Sequence, residues 1–99
     1  MKLVKKKTYE HILHAVTDVS GYEADELLSK GNRRVTSWVP LGIYVANQSG
    51  MTINDAANLF NRHFATGHAS IKKVKKNFEE VKEDIKDIVA AKMRYEIEK

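Results

Sequence analysis

With 99 residues, 42% of them apolar and 30% charged, the chain has enough material for one hydrophobic core and no room for a second module such as an ATPase. It contains no cysteine, which excludes a disulfide framework, a thiolate zinc ribbon and a thiol nucleophile. No window approaches the roughly 18 apolar residues of a membrane span or the apolar run of a signal peptide, so a cytoplasmic protein without membrane attachment is expected.

Helices are the economical reading, because the chain has one proline and five glycines and its apolar residues recur at three and four positions. Met1 to Lys7 reads as a flexible basic leader. From Thr8 to Val19, Tyr9, Ile12, Leu13, Val16 and Val19 form the stripe of a helix with one buried face, ended by Ser20-Gly21. A short second helix fits Glu23 to Ser29, with Leu27 and Leu28 inward and Gly31-Asn32 as its break. A basic loop follows, from Lys30 to Val39. Pro40 suits the first turn of a third helix, where a missing N–H costs nothing, and Leu41, Ile43, Tyr44, Val45 and Ala46 make that helix nearly fully buried. Ser49-Gly50 stops it. Thr52-Ile53-Asn54-Asp55 has the hydroxyl-x-x-acid pattern that caps a new helix, predicted from Ile53 to about Arg62 with Ile53, Ala56, Ala57 and Phe60 inward. Arg62 to Gly67 reads as a turn. A fifth helix is predicted from near His68, and Ile71, Val74, Phe78, Val81, Ile85 and Ile88 carry its register onward as one long segment.

The net charge of +4 is unevenly placed. Residues 1–78 hold 12 Lys/Arg against 6 Asp/Glu, whereas residues 79–99 hold 5 against 7. Between Glu26 and Glu79 the one acid is Asp55, while Lys30, Arg33, Arg34, Arg62, Lys72, Lys73, Lys75 and Lys76 supply eight positive charges. That distribution is a candidate footprint for a polyanion. The competing explanation is an ordinary solvated face of lysines. A short helix with small residues, a glycine-containing turn and a helix with a basic outer face is how a helix-turn-helix reads, although generic helical hairpins read similarly.

From about Thr8 to Phe78 the sequence resembles the C-terminal DNA-binding domain of the bacterial replication initiator DnaA, whose fold is similar to that of Trp repressor. Thr8, Ile12 and Val16 match the family's first helix, and Leu27-Leu28-Ser29-Lys30 its approach to the basic loop. Arg33-Arg34-Val35 resembles the loop from which a family arginine enters the minor groove. Ile43 to Ala46 corresponds to the apolar helix, and Met51 to Asp55 with Phe60 to the first helix of the helix-turn-helix. Thr66-Gly67-His68-Ala69-Ser70-Ile71 stands where the family has Arg-Asp-His-Thr-Thr-Val; His68, Ser70 and Ile71 match, while Thr66, Gly67 and Ala69 depart and the turn after Phe60 is longer.

The resemblance implies an all-α, Trp-repressor-like domain over residues 8–78, with residues 79–99 as a helical extension. It implies binding of double-stranded DNA, in replication or transcription control. His68, Ala69 and Ser70 would then meet base edges in the major groove, with Lys72, Lys73 and Lys76 near the groove or its flanking phosphates. Arg33 or Arg34 would reach the minor groove, and Lys30, Thr36, Ser37 and Arg62 would contact phosphates. The initiator's ATPase is not implied, since no Gly-x-x-x-x-Gly-Lys-Ser/Thr loop is present and no cofactor is expected.

Other features have plainer readings. Trp38 is expected to pack on the core as a hydrophobic staple rather than to stack on a base. His11 and His14 are three apart, as metal ligands can be, yet no third ligand is apparent, and no metal site is expected. The acids from Glu79 to Asp87 alternate with Lys82 and Lys86 at the spacing of ion pairs on a solvated helix, so no enzyme is expected. Ile71 to Tyr95 keeps a heptad register, which fits either a coiled-coil homodimer or partner seam, or a helix folding back on Ile12, Leu13 and Val16 within one chain. The second is preferred. A protein-interaction or assembly module using that seam is the rival function.

Overall fold

The computed structural model describes residues 2–29 and 37–97. Every regular element among them is a helix: α1 (Lys2–Ser20), α2 (Ala24–Leu28), α3 (Trp38–Gln48), α4 (Ile53–Leu59), α5 (Phe64–Lys76) and α6 (Phe78–Ile97). None is long and apolar enough to cross a membrane. The basic loop with Lys30, Arg33, Arg34 and Thr36, and the Gly31-Asn32 break, lie outside the described residues.

Several helix boundaries have an identifiable local cause. Gly21 takes φ +81° and its N–H donates to the Thr17 carbonyl at 2.9 Å, the left-handed stop that ends α1. Glu26 returns its carboxylate to the Glu23 N–H at 3.0 Å and so starts α2. Pro40 falls in the first turn of α3, where no carbonyl awaits its missing N–H. The Thr52 hydroxyl accepts the Asp55 N–H at 3.1 Å and caps α4. His63 Nδ1 accepts the Ala65 N–H at 3.2 Å and caps α5.

Packing is organised around α3, whose Val39, Leu41, Gly42, Ile43, Val45 and Ala46 are all buried. Ile12, Ala15 and Val16 of α1 join the same core, as do Leu27, Phe60, Ile71, Val74, Ile85, Ile88 and Ala91. Trp38 packs half-buried against this cluster, as expected, but from inside the first turn of α3, after its cap Ser37, and so not as a staple residue. The close approach of α3 to the turn after α4 depends on Gly42: a Cβ there would lie 2.3 Å from Cζ of the fully buried Phe60.

Four expectations change. The leader is not separate from the first helix, since α1 begins at Lys2; nothing between Lys2 and Thr8 is a glycine or proline that could stop a helix. The fifth helix starts at Phe64, four residues before His68, because His63 supplies the cap and Gly67 serves inside the helix instead of in a turn. The long C-terminal segment is two helices, broken at Asn77, whose φ −108° and ψ 24° leave the helical region. Finally, residues 79–97 are part of the domain and not an extension of it. α6 packs along α1, and Ile85, Ile88 and Ala91 are 8%, 0% and 1% exposed. The fold-back arrangement of the seam is therefore the observed one. It is reinforced at the far end of α6, where the Tyr95 hydroxyl donates to Asp18 Oδ2 at 2.6 Å and its ring lies 5.9 Å from both His11 and His14. Among the described residues, no three His, Asp or Glu side chains are grouped to hold a metal.

Candidate nucleic-acid interface

α5 divides cleanly into two faces. Gly67, Ser70, Ile71 and Val74 are buried, at the i, i+3, i+4, i+7 spacing of a single stripe. Ala65, Thr66, His68, Ala69, Lys72, Lys73, Lys75 and Lys76 are exposed on the remainder. Gly67 sets the depth at which α5 seats on α4, because a Cβ there would lie 3.0 Å from Ala57 Cβ, 3.1 Å from Ile53 Cγ2 and 3.2 Å from the Ile53 carbonyl. Gly67 on α5 and Ala57 on α4 are small enough to let the two backbones approach.

That outer face is cationic in its second half. Lys72, Lys73, Lys75 and Lys76 pair with no carboxylate among the described residues, whereas Lys82, Lys86 and Lys92 of α6 are paired with Glu79, Glu83 and Glu96 at 2.9, 3.6 and 2.8 Å. The contrast matters, because both helices are lysine-rich and solvated, yet one neutralises itself and the other does not. Like charges at i, i+3 and i, i+4 on α5 repel. Their position in the last turns, at the negative end of the helix dipole, offsets part of that repulsion.

The first half of the exposed face carries no lysine, arginine or carboxylate. Its polar side chains are Thr66 and His68, and its apolar ones are Ala65, Ala69 and Phe64, which is 50% exposed. Phe64 is held between two imidazoles: its ring centroid is 4.5 Å from that of His63 and 6.2 Å, edge-on, from that of His68. Sequence reasoning placed Phe64 in a turn and gave it no role. Its 71-to-64 spacing would have included it in the buried stripe, so no local signal marks it as exposed.

Two residues expected on the surface are used otherwise. Ser70 is 5% exposed and sits on the core side of α5, one turn from Gly67, so it does not face outward with His68 and Ala69. Arg62 turns its guanidinium onto the protein's own backbone: Nη1 donates to the Phe60 carbonyl at 2.8 Å and the Leu28 carbonyl at 3.3 Å, and Nη2 to the Ser29 carbonyl at 3.2 Å. Partial burial pulls its pKa below the ordinary guanidinium value; a guanidinium nonetheless remains charged at neutral pH. Asn61, in the left-handed region at φ +56°, adds an Nδ2 donation to the Leu28 carbonyl at 3.1 Å. The turn before α5 is thereby fastened to the end of α2, where the basic loop begins.

The other end of that loop is also beside α5. Ser37 lines a small cleft together with Pro40, Leu41, Lys73, Val74, Asn77 and Val81. Ser29 thus lies at the turn before α5, and Ser37 beside the last turns of α5, at the two edges of the segment carrying Lys30, Arg33 and Arg34. A second, apolar groove lies between α3 and α6, lined by Tyr44, Val45, Gln48, Phe78, Ile85 and Val89, with Phe78 and Val89 each 38% exposed. No protein-family model, curated protein or solved structure matches the chain.

Proposed function

We propose that this protein binds double-stranded DNA, with α4 and α5 acting as a helix-turn-helix of the Trp-repressor-like kind and α5 as the helix that enters the major groove. The observation that carries this reading is the unneutralised lysine face of α5, bracketed by the two ends of a loop that holds three further cations. It agrees with the resemblance to the DnaA C-terminal domain, and a role in replication or transcription control follows from the same resemblance.

The roles divide by position along α5. His68 and Ala69 approach base edges, an imidazole N–H or lone pair for hydrogen bonding and a methyl for apolar contact. Lys72, Lys73, Lys75 and Lys76 lie along flanking phosphates, fixing register without reading sequence. Lys30 contributes to the same phosphate field, and Arg33 or Arg34 enters the adjacent minor groove, where width and A·T character are read. Arg62 and Ser70 support this surface from within. No catalytic step and no cofactor enter the reading.

The test is duplex binding as a function of salt. The log–log slope is expected to be about −0.9 for each phosphate neutralised. Lys73→Ala weakens all sequences about equally, whereas His68→Ala loses roughly 1–3 kcal/mol of discrimination at its base position. Binding that is absent, or indifferent to salt, overturns the proposal. A second reading, self-association through α6, draws on the apolar groove at Tyr44, Phe78 and Val89. It requires a dimer by light scattering that Phe78→Asp abolishes.

A further inference from the structure

We propose that Phe64 is a specificity residue that reads the 5-methyl group of thymine. This rests on the DNA-binding reading and names one chemical feature of the ligand. A single exposed apolar residue needs no explanation on a protein surface, but Phe64 is not isolated. It opens α5, and with Ala65 and Ala69 it forms the apolar part of a leading half that carries no lysine, arginine or carboxylate, while the trailing half is four lysines. A face meant only to hold phosphates has no use for that division.

The ring is also preset. His63 lies against it at 4.5 Å and is itself committed, through Nδ1, to capping the helix. His68, one turn on, meets it edge-on at 6.2 Å. An aromatic ring ordered before binding loses little entropy when it meets a ligand. In the major groove, the apolar feature that distinguishes one base pair from another is the thymine methyl, and Phe and Ala side chains are suited to contact it. His68 beside Phe64 supplies the polar contact to the same or the neighbouring base. The pair would therefore read a thymine by its methyl and its neighbourhood by a hydrogen bond.

The experiment uses the full chain and a duplex recovered by selection from a random-sequence pool at moderate salt. That duplex is resynthesised with deoxyuridine, which lacks the methyl, at each thymine in turn. Wild-type affinity is expected to fall about fourfold at one or two positions, the transfer value of one methylene-sized group. In Phe64→Ala the same replacements have no further effect; Phe64→Leu, which keeps apolar bulk, retains part of the sensitivity. Both variants keep the wild-type circular dichroism, since Phe64 is half-exposed. Uniform indifference of the wild type to deoxyuridine overturns this inference and leaves DNA binding standing. So does a loss that persists unchanged in Phe64→Ala, which would place the methyl contact at Ala69. Recovery of no salt-sensitive duplex removes both readings together.

Discussion

Single residues in this protein act mostly by what they leave out or hold back. Gly42 omits a side chain so that the Phe60 ring can fill the centre of the domain. Gly42→Ala forces a methyl to within 2.3 Å of that ring and is expected to lower stability by about 1–3 kcal/mol. The cost shrinks in a Phe60→Leu background, which chemical denaturation of the four chains of the cycle measures. Arg62 is the opposite case, a partly buried cation turned onto the protein's own carbonyls. Arg62→Ala strands the carbonyls of Leu28, Ser29 and Phe60, an expected loss of about 1–3 kcal/mol, against less than about 0.5 for Lys73→Ala on the open face. Equal melting temperatures for the two variants would contradict the structural role of Arg62. Neither role was legible in the sequence. A glycine in a helix and an arginine in a turn both take their meaning from partners distant in the chain, Phe60 for Gly42 and Leu28 for Arg62, and local spacing carries no information about those partners.

At the scale of elements, caps and stops were the legible part. Thr52, Gly21 and Pro40 act through their nearest neighbours, so short patterns reveal them. The start of α5 was not legible, because the residue that caps it is a histidine, an uncommon cap, and because Gly67 imitates a turn. The break at Asn77 was hidden for a different reason: Val74, Phe78 and Val81 keep three-and-four spacing across it, so the apolar register runs on although the helix does not. α5 itself invites a charge-reversal test. Lys72→Glu removes repulsion from Lys76 and creates a favourable i, i+4 pair, so the free protein is expected to keep its stability within about 0.5 kcal/mol or gain slightly. On the DNA reading, duplex affinity is expected to move the other way, falling as the salt slope drops by about one. Opposite responses of stability and affinity to this one substitution would mark the lysine face as serving a polyanion rather than the fold.

For the whole molecule, the division into a domain over residues 8–78 and an extension does not hold, since the last helix completes the core that the first one begins. Ile88→Ala is expected to cost about 2–5 kcal/mol and to leave a single cooperative transition, observed alike by far-ultraviolet circular dichroism and Trp38 fluorescence. The sequence showed the apolar stripe of α6 but not which surface it meets, because a stripe is equally satisfied by another chain. The fastening of the loop's root by Arg62, and the position of Ser37 beside Lys73, have a kinetic consequence on the DNA reading. Once α5 has docked, cations tethered at both ends meet the neighbouring groove as an intramolecular event, at an effective concentration on the order of millimolar. Contacts too feeble to hold a free peptide on a duplex would then prolong residence, and loosening the tether at Arg62 would shorten it without disturbing a single base contact.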